Sequence, residues 1–103
     1  MRKAEVFLHD VPAGILEELD AGKRYRFVYL SHYKGPPISL TMPVEKKEFI
    51  FDCFPPFFDG LLQEGLLLSS LLKQRKIDKY DYFSQILAVG RDLVGAVTVL
   101  ESE

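Results

Sequence analysis

The first thirty residues alternate between apolar and polar positions, which is the pattern of half-buried β-strands. In AEVFLHD, Ala4, Val6 and Leu8 fall on one face of an extended chain, and in KRYRFVYL the three aromatic residues share one face. Between them, GILEEL is predicted to return antiparallel. We therefore predict a three-stranded meander for this part of the chain.

Turn-forming residues separate these strands. In DVPAG, Pro12 fixes φ and Gly14 is free to adopt a positive φ, so the first turn is predicted here. The second turn is predicted at Asp20 to Gly22. SHYKGPP then forms a loop, because prolines cannot donate hydrogen bonds to a sheet.

Two further extended stretches follow the loop. ISLTMP is predicted to be a strand with Ser39 and Thr41 on one face and Ile38, Leu40 and Met42 on the other. We interpret it as an ordinary half-exposed strand, and the alternative is a ligand contact by the two hydroxyls. VEKKEFIFDCF contains a charged turn followed by a short apolar strand.

A helical stripe replaces the alternation after the two prolines of FPPFF, which are tolerated in the first turn of a helix. The stripe consists of two series spaced four apart: Phe57, Leu61 and Gly65, and Phe58, Leu62 and Leu66. Glycine costs about 1 kcal/mol inside a helix relative to alanine. The helix is therefore expected either to break near Gln63-Glu64-Gly65 or to need bare backbone there. A second helical segment is predicted from Leu66 to about Lys76.

A further helix is predicted after Asp78, which is placed at its N-cap with Asp81 at the N3 position. Gly90 suits the C-terminal end of this helix. Its buried face is predicted to consist of Tyr80, Phe83 and Leu87.

GAVTVL is predicted to be the last strand, and its apolar residues on both faces predict a central position in the sheet. The order of elements indicates the α+β class. We expect one domain, 1–103, with an antiparallel sheet, an N-terminal meander, two to three helices packed on the sheet, and a C-terminal strand that returns to it.

Composition supports a globular domain and indicates the cellular compartment in which it works. The chain has 103 residues, of which 48% are hydrophobic and 27% charged. A single cysteine, Cys53, excludes an internal disulfide and is typical of a reducing compartment. No apolar run approaches the roughly 20 residues of a membrane span, and no signal-peptide core is present. We therefore expect a cytoplasmic protein without membrane contact.

Charge gives no indication of nucleic-acid binding. The net charge is −2 and the isoelectric point is about 5.7, whereas nucleic-acid binders usually carry a basic face. The densest basic stretch lies between Lys73 and Lys79, and we interpret it as the solvated end of a helix rather than a phosphate site. No direct contact with nucleic acid is expected.

Catalytic signatures are missing from the sequence. His9 and His32 fall in different predicted elements, and no Cys/His spacing typical of zinc is present. No glycine-rich phosphate loop and no GxSxG motif occurs. GRDLVG has an Arg-Asp pair but lacks the preceding His and following Asn of a kinase catalytic loop. We predict a protein that is not an enzyme and needs no metal or cofactor.

The eight phenylalanines and five tyrosines leave two interpretations of FPPFFDGLLQEGLL open. The segment is either core or a surface that contacts a partner, since large exposed apolar patches usually mark binding sites. Phe57, Phe58, Leu61 and Leu62 are expected to begin a helix and to pack largely inward.

Three motifs in order resemble the N-terminal subdomain of HipA-family serine/threonine kinase toxins. GPPISLTMPV resembles that family's GxP[IL]S signature, FPPFFDGLLQEGLLL its PPFFENLLPEGWLL segment, and ILAVGRDLVGAVTV its ending LLAALGRDCIGAV. Together the matches cover about residues 35–99, and the preceding meander also fits the family.

The resemblance implies a stand-alone antitoxin. In HipBST-type systems this subdomain is a separate small protein, HipS, which acts on a shortened kinase toxin, HipT, while the helix-turn-helix protein HipB supplies DNA binding. The start at Met1 and the absence of a trailing linker favour a complete HipS-like protein over a cut fragment. The alternatives are an N-terminal fragment of a full-length HipA-like kinase with a role in assembly, and a DNA-contacting repressor subunit.

The resemblance also suggests which residues meet the kinase. Gln63, Glu64, Gly65 and Leu66 are predicted to enter its cleft, and the preceding Pro55, Pro56, Phe57 and Phe58 to support docking. The chain departs from the family twice here, with Leu66 where relatives commonly carry Trp and Gln63 where Pro is usual. Leucine buries less area than tryptophan and has no N–H donor, which weakens an insertion role for this position.

Overall fold

A computed structural model describes residues 2–63, 81–90 and 96–102. One sheet organises them, with the strand order β4-β3-β2-β1-β5 and antiparallel pairing throughout. The strands are β1 (Arg2–Leu8), β2 (Val11–Asp20), β3 (Arg24–Tyr29), β4 (Glu48–Phe51) and β5 (Val97–Ser102). The described α-helices are α1 (Pro56–Gln63) and α2 (Tyr82–Val89), and a single 3₁₀ turn spans Val44–Lys46. This confirms the α+β class, the meander and the returning strand.

The core lies between one face of the sheet and the two helices. The alternating residues predicted to share a face do so, and all of them are buried: Ala4, Val6, Leu8, Tyr25, Phe27 and Tyr29. Phe58 of α1 contacts the Phe27 ring at 6.0 Å between centroids, and Phe83 of α2 stacks on Tyr25 at 6.5 Å. Aromatic pairs therefore attach both helices to the middle of β3.

The first turn lies earlier than predicted. The chain reverses at His9 and Asp10, which both have positive φ (50° and 65°), and β2 already begins at Val11. Pro12 and Gly14 are therefore strand residues, beside a β-bulge in the β1–β2 pairing. A Cβ on Gly14 would lie 2.5 Å from the Val28 carbonyl oxygen, so glycine is needed here for close strand packing rather than for a turn.

The second turn occurs where it was predicted. Lys23 N–H donates to the Asp20 carbonyl at 2.9 Å, and Gly22 has a φ of 74°. A positive φ is readily adopted by glycine, because it has no Cβ. This part of the prediction is confirmed.

Strand β5 lies at an edge of the sheet, so its predicted central position is wrong. It pairs with β1, and Val97 and Val99 are buried while Thr98 and Leu100 on its other face are half-exposed. On the side of β5 that faces away from β1, the Val99 N–H donates to the Gly90 carbonyl at 3.0 Å. The end of α2 therefore covers part of this edge of the sheet. The apolar residues on both faces of β5 therefore reflect partial burial at an edge of the sheet. They do not mean that both faces of the strand are fully buried.

Gly90 is the C-cap of α2, as predicted, but for a different reason. Its φ is −58°, which any residue adopts. A Cβ on Gly90 would overlap the Val99 carbonyl oxygen, so the missing side chain lets the helix end pack directly against β5.

The N-cap of α2 is Asp81 rather than Asp78. The Asp81 carboxylate accepts the Ser84 N–H at 3.2 Å and pairs with Arg2 at 2.8 Å. Arg2 also binds the buried Glu18 through two hydrogen bonds of 2.7 and 2.9 Å. Partial burial raises the pKa of Asp81, but hydrogen bonds from Arg2 and Ser84 outweigh it and hold that pKa below its usual value. A long-range ion pair therefore fixes the helix start.

The remaining helix predictions are only partly covered. Phe83 is fully buried and Leu87 partly buried, as expected, and Ile86 joins them in the core. Tyr80, the segment from Leu66 to Lys76 and the basic stretch up to Lys79 lie outside the described residues. No helix in the described part of the chain is long and apolar enough to cross a membrane.

Candidate partner-binding surface

The two prolines before α1 have different environments. Pro55 is fully buried, whereas Pro56 is exposed and is the first residue of the helix. Proline suits this position because the first helical N–H has no partner within the helix. The Asp59 N–H donates to the Pro55 carbonyl at 3.0 Å and closes the first turn.

Helix α1 turns one of its two apolar series fully inward. Phe58 and Leu62 are buried, while Phe57 and Leu61 are partly buried at the edge of the core. The Phe57 and Phe58 rings contact edge to face at 5.2 Å. The expectation that these residues begin a helix and pack largely inward is confirmed.

Phe54 extends the same packing to the other helix. Its ring contacts Tyr25 edge to face at 5.4 Å and Tyr82 of α2 at 5.6 Å. The segment before α1 is therefore a bridge between the sheet and α2, with 7% of Phe54 exposed.

The eight residues predicted to meet a kinase are unequally placed. Pro55 and Phe58 belong to the core of this chain, whereas Pro56 and part of Phe57 reach the surface beside each other. Gln63 is the last described residue of α1, and the positions 64–66 lie outside the described residues. Partner contact by these eight residues stays a prediction.

The described surface also has a feature that sequence reasoning missed. ISLTMP is not a strand but a tight reversal with one isolated bridge between Ser39 and Met42. Its backbone turn is closed by the Met42 N–H, which donates to the Ser39 carbonyl at 3.0 Å. Ile38 and Met42 are buried, but Leu40 is 97% exposed at the tip. The predicted common face for these three apolar residues is therefore wrong.

The Ser39 and Thr41 hydroxyls explain why the chain turns here. They lie 2.9 Å apart, and the Ser39 hydroxyl also accepts the Thr41 N–H at 3.3 Å. Serine and threonine favour such local bonds over strand pairing. The turn could have been predicted from the sequence by this spacing, because Ser39 and Thr41 are two positions apart and Pro43 follows closely.

Tyr29 holds both arms of this reversal, which we name the Leu40 loop (residues 38–42). Its buried hydroxyl donates to the Met42 carbonyl at 2.6 Å and accepts the Ile38 N–H at 3.0 Å. Tyr33 stacks on the Tyr29 ring at 5.8 Å, with 7° between the ring planes. Burial raises the pKa of Tyr29, so its hydroxyl remains protonated and able to donate.

Comparison with known proteins identifies the domain. The model of the family described as HipA N-terminal domain matches residues 4–100, nearly the whole chain. The chain belongs to the HipA N-terminal domain family. This family is related to toxin–antitoxin systems, and the matched part is not the catalytic kinase part of HipA.

Solved structures give the same result. A structure described as the N-terminal domain of HipA toxin superposes with a TM-score of 0.78 at 32% identity. The match covers 100% of this chain and 94% of that chain. The likeness therefore extends to the whole domain.

Two curated relatives carry the domain in chains of very different length. An uncharacterized protein of Haemophilus influenzae is 34% identical over 103 residues, which cover 100% of this chain and 95% of that protein. A putative kinase of Sinorhizobium fredii, Y4dM, is 32% identical over 108 residues. That match covers 96% of this chain but only 26% of the kinase. The domain thus occurs both nearly alone and as the minor part of a kinase chain.

Proposed function

We propose that this protein is an antitoxin that binds and inhibits a shortened HipA-like serine/threonine kinase, the HipT-like toxin of a tripartite system. The proposal places both proteins in the cytoplasm, with a HipB-like helix-turn-helix protein in a larger complex. Inhibition would follow from docking on the kinase and blocking its active-site cleft or its closure.

The observation that carries this proposal is the relative from Haemophilus influenzae. The aligned region makes up 95% of that protein, so it has almost no room for a kinase body. A non-catalytic kinase subdomain that exists apart from the kinase must act on a separate chain. Binding in trans is the simplest use of such a surface.

Helix α1 supports the proposed mode of docking. Phe58 and Leu62 anchor its inner side in the core, which fixes the helix on the sheet as far as Gln63. A rigid support of this kind reduces the entropy cost of placing a following segment in a cleft. In this proposal Glu64, Gly65 and Leu66 enter the kinase cleft, and Pro56 with Phe57 forms the adjoining contact.

The proposal is tested by co-expressing this protein with a HipT-like kinase that lacks this domain and by measuring kinase phosphorylation. We expect the two proteins to co-purify and phosphorylation to fall. Leu66→Asp should relieve inhibition, whereas Ile50→Asp, on the outer face of the sheet, should leave it unchanged. If Leu66→Asp inhibits as well as the wild type while changes at Pro56 and Phe57 abolish binding, docking alone suffices and the insertion is wrong.

A second candidate is favoured by the relative from Sinorhizobium fredii, of which the domain covers 26%. In such a chain the domain would be the N-terminal part of a full-length HipA-like kinase and would serve its assembly. The reading frame after residue 103 discriminates the two. A separate downstream kinase gene supports the antitoxin, and a continuous frame supports the assembly role.

A further inference from the structure

Leu40 is the most exposed large apolar side chain in the described part of the protein, at 97%. The other exposed large apolar residues there are 52% exposed or less. A leucine at the tip of a turn contributes nothing to its own core. Its neighbours on either side, Ile38 and Met42, are buried, so the loop raises one aliphatic side chain clear of the surface.

The loop that carries Leu40 is held rigid by hydrogen bonds. The Tyr29 hydroxyl ties its two arms together, and the Ser39 and Thr41 hydroxyls bond to each other beneath the tip. A backbone that is already ordered loses little conformational entropy on binding. An apolar side chain raised on a fixed turn, with polar neighbours, has the anatomy of an interface anchor surrounded by a rim.

Charge indicates which kind of surface would receive it. The connection between β3 and β4 carries the exposed lysines Lys34, Lys46 and Lys47, against the one exposed glutamate Glu45. These four charges sum to +2, whereas the whole chain has a net charge of −2, so the connection is basic relative to the rest of the protein. Opposite charge on a partner would speed association and fix orientation.

A second copy of this chain is a poor occupant for this surface. A symmetric contact through the Leu40 loop would bring the same lysines of both copies together, and like charges across an interface oppose binding. A larger partner of opposite local charge fits better. In the putative kinase of Sinorhizobium fredii the region that matches this domain is 26% of the chain. The remaining three quarters or so of that chain illustrate the size of the partner we have in mind.

We propose that Leu40 inserts into an apolar pocket, rimmed by carboxylates, on the body of the kinase that this protein binds. The proposal rests on the kinase-binding function and adds a second contact to it, at the opposite end of β3 from the Asp20–Gly22 turn. The Leu40 loop would hold the kinase, and the segment after α1 would act on its cleft.

The test is the affinity of a purified HipT-like kinase for the wild-type protein and its variants, measured by calorimetry. Leu40→Ser should weaken binding about tenfold or more, as for an anchor at the centre of an interface. Leu40→Ile should stay within about threefold of the wild type, because it keeps the aliphatic volume. Ile50→Ser is the matched control and should not change the affinity.

The basic surroundings are tested separately by association rates. Lys47→Glu should slow association several-fold at low salt and less at high salt. Lys23→Glu, in the turn at the other end of β3, is the matched control and should have little effect. Equal slowing by Lys23→Glu would show that only net charge matters and would overturn the local charge argument.

The outcomes separate this inference from the proposed function. If the wild type binds and Leu40→Ser binds equally well, the anchor is wrong and the antitoxin function stands. If the wild type does not bind the kinase at all, both fall. If Leu40→Ser leaves kinase binding intact but abolishes a dimer seen by sedimentation, the occupant is a second copy and the proposal is overturned.

Discussion

Two apolar segments next to prolines differ in burial: one packs into the core of this domain, and the other exposes its central residue. The segment 54–62 precedes and forms α1, and it places Phe54, Phe58 and Leu62 in the core. The segment 38–42 forms the Leu40 loop and exposes its central leucine completely. The first segment contains more apolar residues, five against three, yet the second presents the freer apolar side chain.

The difference comes from backbone geometry rather than from hydrophobicity. A helix places residues four apart on one side, so an apolar series in α1 turns toward the sheet as a unit. A tight turn points its tip away from both arms, so burial of Ile38 and Met42 forces Leu40 outward. An apolar run therefore indicates a contact surface only once its local structure is known.

The largest effect should come from removing the buried ring of α1. Phe58→Ala is expected to lower the free energy of unfolding by about 3–5 kcal/mol, because it leaves a cavity against Phe27. Phe57→Ala, at the half-buried neighbour, should cost about 1 kcal/mol. Urea denaturation of both variants measures the difference, and equal losses would contradict the inward orientation of Phe58.

A smaller loss should follow when the Leu40 loop is released. Tyr29→Phe leaves the Ile38 N–H and the Met42 carbonyl without their partner, at a cost of about 1–3 kcal/mol. Hydrogen exchange at Ile38 should accelerate more than exchange in β1. Unchanged exchange at Ile38 would mean that the hydroxyl does not fix the loop.

Acid should affect the start of α2 selectively. Asp81→Ala is expected to cost about 1 kcal/mol near neutral pH through loss of the cap. The pKa of Asp81 is lowered in the folded state, so its charge contributes stability above the usual value of 3.8. That contribution is lost as the pH falls through the lowered pKa. The free energies of unfolding of wild type and variant, measured by denaturation, should therefore converge below pH 3.8. A constant difference down to the lowest pH would argue against a stabilising charge on Asp81.

The smallest effect on folding is expected at Leu40. Leu40→Ser should change the free energy of unfolding by less than about 0.5 kcal/mol, because the side chain is already in water. Thermal melts of the wild type and of Leu40→Ser compare their stabilities directly. A loss above about 1 kcal/mol would mean that Leu40 packs against its own chain.

Sequence periodicity predicted the five strands of the sheet and the inner face of α1, because both depend on local spacing, but it also predicted a strand at ISLTMP, where the chain turns. Two features depended on residues far away in the chain and were missed. Gly14 is explained as a packing glycine only by the Val28 carbonyl oxygen and the Phe27 ring of β3, which lie where its Cβ would be. The choice of Asp81 as the N-cap depends on Arg2, which is 79 residues away in the chain.

The edge position of β5 was missed for a related reason. Partial burial on both faces of an edge strand gives the same apolar pattern as full burial in a central one. The candidate site was predictable only through resemblance to the family, since Gln63, Glu64, Gly65 and Leu66 form no pattern that indicates a kinase. The Leu40 loop was hidden because ISLTMP alternates like a strand.

The most direct test of the proposed antitoxin function is a titration of a purified HipT-like kinase, one that lacks this domain, with this protein while the autophosphorylation of the kinase is followed. We predict that activity falls linearly and reaches its floor near a one-to-one molar ratio, as expected for tight binding in trans. Full kinase activity at a large excess of this protein, with no complex on a sizing column, would contradict it.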